Sequence, residues 1–160
     1  MNDLDIQQLQ SLLEERFSIV PIDNCSPVGF DVDSKEIFEI CQFLNTSDRT
    51  YFDYLSSLSG VDYGVDSGEM AVVYHLYSIP NDFQLTLRVK LARDMPTVPS
   101  VSDIWRSADW HEREAYDLFG IIFENHPDQR RILLPADWEG HPLRKDYEHQ
   151  EKYHGITVKY

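Results

Sequence analysis

Gln84-Leu85-Thr86-Leu87-Arg88-Val89-Lys90-Leu91 alternates apolar and polar residues without a break. Successive side chains of an extended strand point to opposite faces, so Leu85, Leu87, Val89 and Leu91 share one face and Gln84, Thr86, Arg88 and Lys90 the other. The stretch predicts a half-buried strand with one wet face. Just upstream, Met70 to Ser78 is aromatic and β-branched, and Pro80-Asn81-Asp82 supplies turn chemistry between the two runs. Together they read as an antiparallel hairpin. Tyr51 to Val61 reads as a third strand with weaker alternation.

Outside this sheet the period changes. Ile6, Leu9, Leu13 and Phe17 recur at helical spacing with Asp3 available as a cap, and Ile37, Ile40, Cys41 and Leu44 repeat the pattern. Asp33 and Glu36 before the second helix have capping-box spacing. Val28 to Val32 between the two helices is a short strand. Pro96 and Pro99 then break the chain, and Asp109 and Glu112, again at capping-box spacing, announce a helix over Trp110 to Phe119 that Gly120 stops. The implied fold is α+β, a small mixed or antiparallel sheet with helices packed on one face, followed by a long irregular C-terminal segment. Residues 1–124 form the α+β part and 125–160 an extended docking segment and tail, within one domain and without a linker.

The bulk properties narrow the function. With 28 acidic against 14 basic residues, a formal charge of −14 repels phosphate backbones and anionic lipid surfaces, which argues against nucleic acid and direct membrane docking. The longest run free of Asp, Glu, Lys and Arg, Met70 to Asn81, is too short to cross a bilayer. Gly60, Gly64 and Gly68 have the spacing of a transmembrane dimer motif but stand among Asp62, Asp66 and Glu69, so they read as loop glycines. The acidic Met1-Asn2-Asp3-Leu4-Asp5 opening lacks the basic and apolar regions of a signal peptide. Cys25 and Cys41 read as small apolar residues rather than a disulfide.

The segment after Phe123 holds Pro127, Pro135, Gly140 and Pro142, yet also Ile132, Leu133, Leu134, Trp138 and Leu143. A chain both irregular and apolar is laid across something, either its own sheet or a partner. On the preceding helix, Asp109, Arg113 and Asp117 line one face, and Trp110, Glu114 and Leu118 another. Glu114, between two large apolar side chains, then needs a cation from Arg130, Arg131 or Arg144. The expectation is an internal ion-pair network at Glu114, with Arg130 or Arg131 turned outward to grip another subunit.

Glu112-Arg113-Glu114-Ala115-Tyr116-Asp117-Leu118-Phe119-Gly120-Ile121-Ile122-Phe123, His126-Pro127-Asp128-Gln129-Arg130-Arg131-Ile132-Leu133-Leu134 and Pro135-Ala136-Asp137-Trp138-Glu139-Gly140-His141-Pro142-Leu143-Arg144-Lys145-Asp146-Tyr147 together resemble the signature of the 30-kilodalton subunit family of respiratory complex I, the NADH-quinone oxidoreductase. Glu148 departs from it, standing where members often carry proline. The resemblance implies a non-catalytic structural subunit in the quinone-reducing part of the peripheral arm of an NADH:quinone oxidoreductase. Such a subunit packs against the large quinone-site subunit and other peripheral-arm subunits. The holoenzyme passes electrons from NADH to quinone and translocates protons. FMN, iron–sulfur clusters and quinone are expected on partner subunits and no cofactor on this chain. Membrane association comes only through the complex, at the cytoplasmic face of the bacterial inner membrane or its matrix or stromal equivalent. The signature and interface residues carried over are Glu112, Arg113, Glu114, Asp117, His126, Pro127, Arg130, Arg131, Trp138, Leu143, Arg144, Lys145 and Asp146. A related domain serves membrane-bound hydrogenase and formate hydrogenlyase complexes, which is the alternative within the same orbit.

The residues independently disfavour catalysis on this chain. An iron–sulfur cluster usually takes four thiolates, and two cysteines are present. Neither GxGxxG nor GxxxxGK[ST] occurs, and no Gly-x-Ser-x-Gly elbow. His111-Glu112 would begin a zinc motif, but Ala115 stands where the second histidine belongs. The remaining enzymatic alternative is a metallohydrolase built on His126, His141, His149 and His154, whose spacing matches no usual ligand pattern.

Overall fold

The computed structural model describes residues 5–158. Helix α1 spans Ile6–Glu14, followed by strands β1 (Ile19–Pro21) and β2 (Gly29–Val32), helix α2 (Ile37–Thr46), strands β3 (Tyr54–Asp62), β4 (Glu69–Ser78), β5 (Phe83–Ala92) and β6 (Thr97–Pro99), helix α3 (Arg106–Phe119) and strand β7 (Ile122–Glu124). Two-residue strands β8 (Lys152–Tyr153) and β9 (Ile156–Thr157) complete the described elements. The main sheet runs β1-β2-β5-β4-β3, with β2 parallel to β5 and every other pair antiparallel. It is therefore mixed, and the alternating stretch that predicts a strand is its central member.

Register explains the two faces. Leu91, Val89, Leu87 and Leu85 lie opposite Met70, Val72, Tyr74 and Leu76, and with Phe30 they form a buried layer. The helices cover it with Leu9, Leu13, Ile37, Ile40, Leu44, Ala108 and Ala115 in one continuous core. The opposite face is wetter and carries cross-strand polar pairs. Arg88 grips Asp31 with Nε at 2.6 Å and Nη2 at 2.9 Å, and His75 Nδ1 meets Thr86 Oγ1 at 3.2 Å. Such pairs hold register without burying apolar surface.

The weak alternation of Tyr51 to Val61 has a physical cause. The β3–β4 register shifts between Leu55 and Ser57, so Leu55 and Leu58, three apart, are both buried. A bulge of this kind inserts one residue and resets the phase. After it Gly60 faces α3 and Asp62 also turns inward. Gly60 thus lies in a strand, not in a loop as its acidic neighbours suggest. A Cβ there would stand 2.7 Å from the Phe119 ring, so glycine is what lets α3 approach.

Both capping boxes fail. Asp33 caps a turn instead, accepting from Lys35 N at 2.8 Å, while Glu36 accepts from Ser18 N at 3.2 Å. Helix α3 starts a full turn before Trp110, so Asp109 sits in its first turn, where the helix dipole favours an acid, rather than at its cap. The stop is as expected, with Gly120 left-handed at φ 76°. The expected cap of the first helix, Asp3, lies outside the described residues, and α1 starts after Asp5.

One core tyrosine is unsatisfied. Tyr74 is fully buried, and its hydroxyl has no hydrogen-bond partner among the described residues. A buried unpaired hydroxyl costs about 1–3 kcal/mol. Tyr74→Phe is therefore expected to raise the stability of the isolated chain by about 1 kcal/mol. A denaturant midpoint lower than that of the parent would show that the hydroxyl is stabilising.

Candidate docking surface

The inward stripe of α3 is unusual for a helix on a core, because it buries Glu112, Arg113 and Asp117 together with Ala108 and Ala115. Each of the three side chains has a hydrogen-bond partner outside the helix. Asp117 accepts at Oδ2 from the amides of Ile132 (3.0 Å), Leu133 (2.8 Å) and Leu134 (2.9 Å), and at Oδ1 from Arg131 Nη1 (2.7 Å). Burial alone would raise its carboxyl. The Leu134 amide, the Arg131 guanidinium and the Leu133 and Ile132 amides outweigh it and hold the group below its ordinary value. Arg131 also donates to the carbonyls of Trp138 (3.0 Å) and Gly140 (2.8 Å). His141 Nδ1 meets the Asp117 carbonyl at 2.9 Å, and its ring fills the space that a Cβ on Gly120 would occupy. One buried aspartate thereby organises residues 131–141.

A second clamp fastens the segment to the sheet. Arg93, just beyond β5, is bidentate to Asp62 (Nε 2.9 Å, Nη2 3.0 Å) and also grips Asp146. Asp62 further accepts from the amides of Lys145 (2.8 Å) and Gly64 (2.9 Å). The Arg93 guanidinium holds the Asp62 carboxyl far below the carboxylate range. Arg144 donates to the Arg93 carbonyl at 3.3 Å and lies 3.5 Å from Asp146. Sequence reasoning singles out neither Asp62 nor Arg93 as a site residue. The signal available is an acid at the end of one strand and an arginine just after another strand of the same sheet.

Glu112 behaves oppositely. It is fully buried, accepting from Ser100 Oγ at 2.6 Å and Val101 N at 2.7 Å. Burial pushes its carboxyl up to about 7, despite the Ser100 and Val101 donors and helped by Asp109 and Asp103. The His126 side chain is also sealed, with Nε2 3.8 Å from Glu112, 3.3 Å from Asp109 Oδ1 and 3.2 Å from the Asp109 carbonyl. Its Nδ1 accepts from the Asp128 amide at 3.0 Å, which leaves the proton on Nε2.

The signature residues therefore divide. Glu112, Arg113, Asp117, His126, Arg131, Arg144 and Asp146 are committed to contacts within the chain, and Trp138 donates to Tyr147 Oη at 3.1 Å. Glu114, Pro127, Arg130, Leu143 and Lys145 are exposed. The expected ion-pair network at Glu114 is not found. Glu114 faces solvent, and Arg131, Arg130 and Arg144 pair with Asp117, Asp128 and Asp146. Its line of the helix faces outward because the buried stripe consists of small and charged residues, leaving Trp110 60% exposed. Leu133 is 61% and Leu143 51% exposed. The late histidines do not converge. His141 and His126 have the partners given above, His149 meets Tyr147 edge to face and His154 bonds Asp137 at 2.8 Å. Among the described residues no group of three or more His, Cys, Asp or Glu is placed to hold a metal.

Residues 30–153 match the family described as "Respiratory-chain NADH dehydrogenase, 30 Kd subunit". An NADH-quinone oxidoreductase subunit from Chloroherpeton thalassium is 50% identical over 133 residues, 82% of this chain and 55% of the relative. The chain thus spans about half the length of that relative. Among solved structures, the trypsin-resistant fragment of Nqo5 superposes with a TM-score of 0.61 at 30% identity, covering 76% of this chain and 96% of the fragment. A chain of an archaeal membrane-bound sulfane sulfur reductase superposes with a TM-score of 0.74 at 23% identity, over 89% of this chain and 84% of that one, a likeness of fold.

Proposed function

This chain belongs to the respiratory-chain NADH dehydrogenase 30 Kd subunit family, and from that premise we propose that it is a non-catalytic structural subunit of the quinone-reducing module of an NADH:quinone oxidoreductase. It packs against the large quinone-site subunit and neighbouring peripheral-arm subunits. FMN, iron–sulfur clusters and quinone reside on those partners, and this chain contributes surface rather than reacting groups. Among the described residues no helix is long and apolar enough to cross a membrane. In this reading, attachment at the cytoplasmic face of the inner membrane, or its organellar equivalent, is through the complex.

The observation that carries this reading is the division of the signature segment. Asp117, Arg131, Arg144 and Asp146 are held in two clamps, while Leu133 and Leu143, with Trp110 just ahead of the segment, are held outward. Exposing large apolar side chains from a rigidly fastened segment forgoes roughly 25 cal/mol per Å² of burial, and a partner's surface restores it. An affinity-tagged chain expressed in its native host is expected to recover an assembly that reduces quinone with NADH and contains the large quinone-site subunit by mass spectrometry. Recovery of the chain alone from native membranes overturns the proposal.

A further inference from the structure

Deepening the reading above and resting on it, we propose that the groove between α3 and β3 receives a basic segment of a partner subunit, one lysine or arginine of which pairs with Glu114. The groove has a floor of small residues, Ser59, Gly60 and Ala115, and walls of Leu118, Phe119 and Leu143. Its depth follows from Gly60, where any side chain would strike Phe119. Leu143 is held over the groove by its own amide, which donates to the Leu118 carbonyl at 3.0 Å. The next residues are pinned by Lys145 N to Asp62 and by Asp146 to Arg93. The exposed leucine is thus a fixed wall, not a loose side chain.

Glu114 stands on the rim of these apolar walls. Three arginines of the same helix and segment are engaged elsewhere. Arg113 lies 5.0 Å from the Trp110 ring and donates to the Arg130 carbonyl, Arg131 serves Asp117, and Arg144 serves Asp146. A carboxylate bordering an aliphatic trough is complementary to an ammonium or guanidinium on an aliphatic stem. The stem lies along Leu118 and Leu143, and the head reaches the acid. The charge of −14 draws basic partners from a distance. Acidic or purely apolar segments would leave Glu114 unpaired at a dehydrated rim.

Carboxylate footprinting with carbodiimide and glycine ethyl ester, applied to the isolated chain and to the assembled complex, tests this. Glu114 is expected to be modified in the isolated chain and protected about tenfold in the complex. Glu114→Lys is expected to lower complex yield about tenfold, and Glu114→Gln less, with the melting of the isolated chain unchanged in both. A photoreactive group replacing Leu143 is expected to cross-link a lysine- or arginine-bearing peptide of another subunit. Equal modification of Glu114 in the complex, wild-type yield for Glu114→Lys, or cross-linking to a second copy, a lipid or a peptide without basic residues overturns the inference while leaving the subunit role standing. Failure of the wild-type chain to enter any such complex removes both.

Discussion

Arg131→Ala is expected to lower the stability of the isolated chain by about 3–5 kcal/mol, the cost of removing one member of a buried ion pair. Arg131 is only 14% exposed, and its partner Asp117 is sealed. The alanine would leave the carboxylate with three amides but no countercharge, and would remove the donor from the Trp138 and Gly140 carbonyls. Arg131→Lys should recover little, since one ammonium cannot span the aspartate and two diverging carbonyls. Arg130→Ala provides the contrast. Its pair with Asp128 is exposed at both ends, so the change should stay within about 0.5 kcal/mol. Urea denaturation of the three variants measures this. An unchanged midpoint for Arg131→Ala combined with loss of complex yield would reassign that arginine to a partner.

The second large effect is a dependence on pH. A free glutamate side chain titrates near 4.5, and burial lifts Glu112 to about 7. Between those values the folded chain keeps a proton that the unfolded chain has released. Stability therefore falls as pH rises across the interval and levels off above about 7, a loss of roughly 3 kcal/mol. Asp109 and Asp103 push the group further in the same direction, while the Ser100 hydroxyl and the Val101 amide oppose it. Asp62 and Asp117 act with the opposite sign, in a lower window. Their depressed values stabilise the fold above about pH 4, and that contribution is lost as acid protonates them. Glu112→Gln retains an acceptor for Val101 N and removes the ionisation, so the stability of that variant should be nearly flat from about pH 5 to 8. Parallel pH profiles for the Glu112→Gln variant and the wild-type chain would show that the slope arises elsewhere.

How much of this is legible in the sequence depends on what each element buries. Gln84 to Leu91 and the turn at Pro80-Asn81-Asp82 are readable because apolar burial and strand period coincide there. Ile37, Ile40, Cys41 and Leu44 are readable for the same reason at helical period, and all four are fully buried. Helix α3 is legible as a helix, but its inward face is not. Hydrophobic periodicity assumes that large apolar residues point inward. Here Glu112, Arg113 and Asp117 occupy that side. Their burial is offset by hydrogen bonds to Ser100, Val101, Arg131 and a run of amides from residues far along the chain. No local pattern encodes those partners. The bulge in β3 is equally hidden, because inserting one residue erases the alternation that would announce the strand. The family segment is recognisable from its residues, but which of them face outward becomes visible only with the Asp117 and Asp62 clamps in place.

The bulge has one more consequence. It lies in β3, an outermost strand of the main sheet, while the other margin is β1, three residues long and ending in Pro21, which has no amide hydrogen. Irregular, short or proline-bearing margins are poor templates for a foreign strand. Assembly by β-augmentation is thus discouraged at both sides, which also guards newly made chains against aggregating through their sheets. At the margins of the main sheet, side chains rather than backbone hydrogen bonds are then the means of contact.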